Sequence, residues 1–111
     1  MGFMYYMLIF VLFLLLALGN VGTCGSMPEN VCDRVKAKAS AEFPNDFSLQ
    51  KSVITINAKS WKWLQQSPSN GFPANTFVQM KRKAATDFPD DYNAQQHVVE
   101  HEIKEWRKIN H

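Results

Sequence analysis

The sequence predicts an all-α chain: two tandem antiparallel helical hairpins packed as a four-helix domain, preceded by an N-terminal hydrophobic signal or anchor helix. Three observations point there. One segment occurs twice at a fixed spacing, apolar residues recur at helical intervals within each copy, and a long apolar run stands apart at the front. In the repeat, Lys36-Ala37-Lys38-Ala39-Ser40-Ala41-Glu42-Phe43-Pro44-Asn45-Asp46-Phe47 returns 45 residues later as Lys81-Arg82-Lys83-Ala84-Ala85-Thr86-Asp87-Phe88-Pro89-Asp90-Asp91-Tyr92. The register continues through Gln50 and Gln95, Val53 and Val98, Lys59 and Lys104, and Trp61 and Trp106. A fixed period of this length marks stacked copies of one supersecondary unit.

The first element is the apolar run. From Phe3 to Leu18 every residue is apolar or aromatic. Such a run is too hydrophobic for the surface of a small domain and reads as a secretory signal or membrane anchor over residues 1–22. Ala17-Leu18-Gly19 offers the small-x-small pattern of a cleavage site. No Lys or Arg precedes Arg34, so the usual basic leader is missing. The positive-inside rule alone would hold the basic remainder in the cytoplasm. The acidic Glu29 and Asp33 beyond the run favour export instead. The expected location is therefore exported: periplasmic, secreted, or anchored to the cell membrane.

Two cysteines follow. Val21-Gly22-Thr23-Cys24 resembles a bacterial lipobox, with Thr23 where Gly, Ala or Ser is usual. A Cys24–Cys32 disulfide is the alternative, in an oxidising compartment. Lipidation of Cys24 would exclude it, and two free thiols remain a third reading.

The first hairpin is expected over 26–66. Ser26-Met27-Pro28-Glu29 has the spacing of a capping box, and Cys32, Val35, Ala39 and Phe43 then recur on one helical stripe. Pro44 pushes Phe43 out of helical geometry and cannot itself extend the helix. Asp46 is placed to cap a second helix. There Gln50, Val53, Ile54, Asn57, Ala58, Trp61 and Leu64 share a face. Residues 67–75, rich in Ser, Pro, Asn and Gly, read as the linker.

The second hairpin, over 76–111, repeats the plan. Thr76-Phe77-Val78-Gln79 has capping-box spacing, Pro89 and Asp91 form the turn, and Gln95, Val98, Val99, Glu102, Ile103, Trp106 and Ile109 line the next helix. A turn this short makes each pair antiparallel. One hairpin of this size cannot bury both apolar stripes alone. A shared interior with Trp61 and Trp106 as its largest pieces is the expectation.

The pattern Ala-x-x-x-(Glu/Asp)-Phe-Pro-x-Asp-(Phe/Tyr)-x-x-Gln, leading into a helix with Trp, resembles segments of small, often exported bacterial proteins of unassigned function. It spans residues 35–64 and 80–109. The resemblance implies a bacterial or phage origin and a helical fold. It implies no activity and no catalytic residue.

The remaining motifs are weighed on their chemistry. His97-Val98-Val99-Glu100-His101 has the His-x-x-Glu-His order of inverted zinc peptidases. His97 and His101 stand one turn apart as weak metal candidates, with Glu100 as the conceivable base of a zinc-dependent hydrolase. Only Glu105 and His111 offer a further ligand nearby, and the wheel puts the pair opposite Val98, Val99 and Trp106. Ser52 and Ile56 replace them in the first copy. Asp46 and Asp91 read as caps. Gln50 and Gln95 read as buried amides that satisfy turn backbone.

Lys81-Arg82-Lys83 is a basic cluster whose members diverge on a helix. With a formal net charge of +2 over 111 residues, it does not indicate nucleic acid. A solvated face, near anionic headgroups, fits it better. Ile56 and Trp63, flanked by Ser52 and Ser60, form a stripe that a protein partner could cover. The alternative is that they pack against Phe72 and Phe77.

The expected function is non-enzymatic: a small exported or membrane-anchored helical interaction module, with no cofactor and an unidentified protein partner. The membrane is engaged through the N-terminal segment if it stays uncleaved or lipidated. A zinc-dependent hydrolase is the alternative. A membrane-associated immunity or exclusion factor is a third reading, resting on size and targeting.

Overall fold

A computed structural model of the chain describes residues 23–66 and 71–110. The expected signal or anchor over 1–22, and His111, lie outside the described residues. The described residues are all-α, with no strand: α1 (Glu29–Glu42), α2 (Phe47–Leu64), α3 (Ala74–Asp87) and α4 (Tyr92–Ile109). None of these helices is long and apolar enough to cross a membrane.

The extensive helix contacts link α1 with α2, α2 with α4, and α4 with α3. Gly25, ahead of α1, approaches Ala58 late in α2, and its position would bring a Cβ to 3.5 Å of the Ala58 Cβ. At the other end of the pair Ala39 and Val53 line one groove. α1 contacts α2, α3 contacts α4, and α2 and α4 make the extensive contact between these two sets.

Helices α1 and α3 do not start as the capping-box spacing predicts. Pro28 and Pro73 are the N-cap residues, and neither start has a side-chain cap. The fixed φ of proline presets entry into the helix, with backbone bonds from Cys32 N–H to the Pro28 carbonyl and from Phe77 N–H to the Pro73 carbonyl. Ser26 lies too far upstream to cap, and Thr76 falls inside the first turn of α3.

The turns follow the chemistry of their residues. Phe43 (φ −129°, ψ 66°) and Phe88 (φ −131°, ψ 70°) leave helical geometry just before the prolines. Asn45 (φ 63°) and Asp90 (φ 59°) then take the left-handed conformation, which Asn and Asp tolerate better than most residues. Asp46 accepts from Leu49 N–H and Asp91 from Ala94 N–H, each at 3.1 Å.

The interior is not the single core expected but two clusters. The first gathers Met27, Val31, Cys32, Val35, Ala39, Ile54 and Ala58. The second gathers Leu64, Phe72, Phe77, Ala84, Val99 and Ile103. Tyr92 packs against both, and Leu64 of α2 belongs to the second cluster. Val35 of α1 and Val99 of α4 are the largest fully buried side chains among the described residues; complete burial of such a residue contributes about 1.5–3 kcal/mol.

Trp61 and Trp106 are half-buried at the cluster edges rather than at the centre. Ala39 and Ala84, which have no exposed surface, lie within the clusters instead. Trp106 packs edge-on against Phe72, with ring centroids 4.9 Å apart.

Candidate interaction surface

Two glutamines shared by both copies bond back across the turns. Gln50 donates through Nε2 to the Phe43 carbonyl, and Gln95 to the Phe88 carbonyl, both at 2.7 Å. These carbonyls end α1 and α3 and have no helical partner of their own. Each Gln thus ties its helix back across the turn through one amide N–H.

His97 and His101 are exposed on α4. Glu100 accepts from Gln96 Nε2 at 2.9 Å, which turns its carboxylate along the helix. Among the described residues no group of three or more His, Cys, Asp or Glu is placed to hold a metal ion. Glu105 pairs with Lys108 at 3.0 Å. That bond, with the charge of Lys108, holds the Glu105 carboxyl below its usual range.

The basic cluster divides as its helical spacing predicts. Lys81 Nζ donates to the Leu64 carbonyl at 3.0 Å and lies 4.8 Å from the centre of the Phe77 ring. Arg82 and Lys83 are exposed. Lys81 is therefore a joint between α2 and α3, satisfying an orphan carbonyl at the end of α2.

The Ile56/Trp63 stripe has two different halves. Ile56 is 46% exposed. Trp63 is half-buried and meets Phe77 edge-on, with centroids 6.1 Å apart. Of the flanking serines, Ser52 is exposed and Ser60 is buried. Cys24 and Cys32 are paired as a disulfide with Cα atoms 5.8 Å apart, inside the usual range for such a bridge. Cys24 also packs on the first cluster.

The strongest polar constellation joins the two pairs. Asp90 and Asp91, in the turn between α3 and α4, line one small cleft together with Val35, Lys38, Ala39, Val53 and Asn57. Asn57, only 6% exposed, accepts through Oδ1 from Tyr92 N–H at 2.8 Å and Asn93 N–H at 3.2 Å. It caps the first turn of α4 from another helix, while its own Nδ2 donates to the Val53 carbonyl. Arg34 pairs with Asp90 at 3.0 Å, and Lys38 Nζ reaches the Pro89 carbonyl at 3.4 Å. The bond to Asp90, with Tyr92 beside it, raises the Arg34 pKa.

Sequence reasoning placed Asn57 on the apolar face of α2 but did not find this role, nor those of Arg34 and Lys38. The available signal was the difference between copies. Arg34 and Asp90 are a cation and an anion, whereas their counterparts Gln79 and Asn45 are both neutral amides.

Compared with models of protein families, with curated proteins and with solved structures, the chain matches none.

Proposed function

We infer that the protein is a non-enzymatic interaction module: two tandem antiparallel helical hairpins carried behind an N-terminal signal or anchor segment and working outside the cytoplasm or at the membrane. Its partner is a protein that covers apolar side chains on the helical domain. The observation that carries this reading is how the side chains divide. The paired turn residues Asp46 and Asp91, Gln50 and Gln95 bond to backbone within the fold, while Ile56 and Val78 stand in solvent. A buried polar group already satisfied has no bond to offer a substrate. An exposed apolar side chain gains from being covered.

The test is cross-linking in cells that express the full chain. Ile56→Asp should remove the cross-linked partner without changing helix content, because Ile56 makes no part of either cluster. An unchanged set of partners would contradict this surface. The intact mass of the mature protein tests the targeting half. Loss of the apolar run or retention of Met1 at the membrane supports it, and an unprocessed chain found only in the cytoplasm contradicts it.

A further inference from the structure

The joint between the two helix pairs is asymmetric, and the chain carries both of its missing halves. α1 and α2 supply a socket, and the turn before α4 supplies a plug. Because the sequence repeats, a second plug and a second socket also exist. The second plug is the turn before α2, and the second socket is the face of α3 and α4. Both are exposed.

The burial of equivalent residues shows what the first joint does. Leu64 is 4% exposed and lines the same surface as Tyr92 and Gln95. Its counterpart Ile109 is 83% exposed, and the counterpart of Tyr92, Phe47, is 73% exposed. These are the two most exposed large apolar side chains among the described residues. Each stands where a third hairpin, added by the same repeat operation, would cover it.

The polar groups match as well. Lys83 stands where Lys38 does and would meet the Pro44 carbonyl, as Lys38 meets that of Pro89. Gln79 replaces Arg34 and Asn45 replaces Asp90, so an amide pair takes the place of the ion pair. Glu102 replaces Asn57 and offers a carboxylate to the N–H groups of Phe47 and Ser48, a stronger acceptor than an amide. Lys36 stands where Lys81 does and would reach the Ile109 carbonyl. Gln79, Lys83, Glu102, Lys36 and Asn45 are all exposed.

We propose that copies of this chain associate head to tail, the turn around Phe47 of one copy seating on the α3–α4 face of the next, with Phe47 against Ile109. The contact repeats the joint already present within the chain. After pairing, one copy keeps a free socket and the other a free plug, so the assembly grows as a line unless its rotation closes a ring. This deepens the interaction-module reading by naming a partner, on a surface distinct from Ile56.

The experiment uses two differently tagged full-length chains, Phe47→Cys and Ile109→Cys, mixed in mild detergent and oxidised. Both positions are exposed, so neither change disturbs a cluster. Heterotypic cross-linked dimers should exceed either homotypic dimer several-fold. A chain carrying both substitutions should give a ladder of oligomers. Phe47→Asp in otherwise unaltered protein should weaken association at least tenfold by light scattering. Homotypic dimers as abundant as heterotypic ones, or no cross-linking, would overturn the proposal. Heterotypic cross-links that persist in Ile56→Asp, together with loss of the cellular partner, would show two separate surfaces. Loss of the heterotypic cross-links with the cellular partner retained would sink self-association alone.

Discussion

The turn after α1 and the turn after α3 have nearly the same sequence, a left-handed residue at the same position, the same Asp cap and the same Gln tie. One lies in water and the other is seated between α1 and α2. Local chemistry therefore builds both turns, and tertiary context alone separates them. A side chain's contribution to stability should differ between copies wherever the joint reaches and agree wherever it does not.

The largest contrast is expected at the ends of α2 and α4. Leu64→Ala should cost about 2–5 kcal/mol, the range for deleting a buried Leu. Ile109→Ala should stay within about 0.5 kcal/mol in dilute protein, as exposed substitutions do. Urea unfolding of the two variants checks this, and equal costs would break the comparison.

A middle-sized contrast is expected across the cap made in trans. Asn57→Ala leaves two part-buried N–H groups of α4 without their acceptor, at about 1–2 kcal/mol. Glu102→Ala, on the exposed counterpart, should cost under about 0.5 kcal/mol. The local caps set the control. Asp46→Ala and Asp91→Ala should each cost about 1 kcal/mol, because both bonds are made within one turn at the same distance. A large difference between these two would mean that the turns are not built alike.

The smallest effects belong to the exposed charges. A double-mutant cycle on Arg34 and Asp90 should give a coupling under about 1 kcal/mol, since both side chains remain solvated. The raised Arg34 pKa favours the fold until pH passes above it, beyond any ordinary working range, so this pair adds no pH dependence near neutrality. Glu105 has the opposite sign. Its folded pKa is lowered, so its contribution is present above the usual carboxylate range and fades as pH falls through the folded value. Lys108→Ala should move the Glu105 titration upward by NMR, toward that usual range.

The two turns, their caps and the Gln ties were legible in the sequence because each rests on neighbours a few residues apart. Pro44, Asp46 and Gln50 act on the backbone immediately around them. The helix starts were less legible. Ser26 and Thr76 fit a spacing rule, but the fixed geometry of Pro28 and Pro73 decides where α1 and α3 begin. The burial of Trp61 and Trp106 was misjudged for a different reason. A helical wheel gives the direction a residue faces, but not how closely the next helix approaches.

The joint between the pairs was not read at all, because Asn57 meets Tyr92 across 35 residues of sequence. Only the mismatch between repeat copies carries a trace of it. Of the proposed partner surface, Ile56 is exposed as its helical position suggests, whereas Trp63 rests against Phe77. That contact depends on where α3 lies, which no local pattern encodes.

Amide hydrogen exchange at single-residue resolution tests the central claim most directly. In dilute protein the N–H groups of Tyr92 and Asn93 should be protected, and Asn57→Ala should remove that protection while leaving Ala94 unchanged. Phe47 and Ser48 should exchange fast, and slow only as concentration rises. Equal protection at the two helix starts in dilute protein, or slow exchange at Tyr92 that survives the loss of Asn57, would contradict an α4 seated in the groove of the first pair.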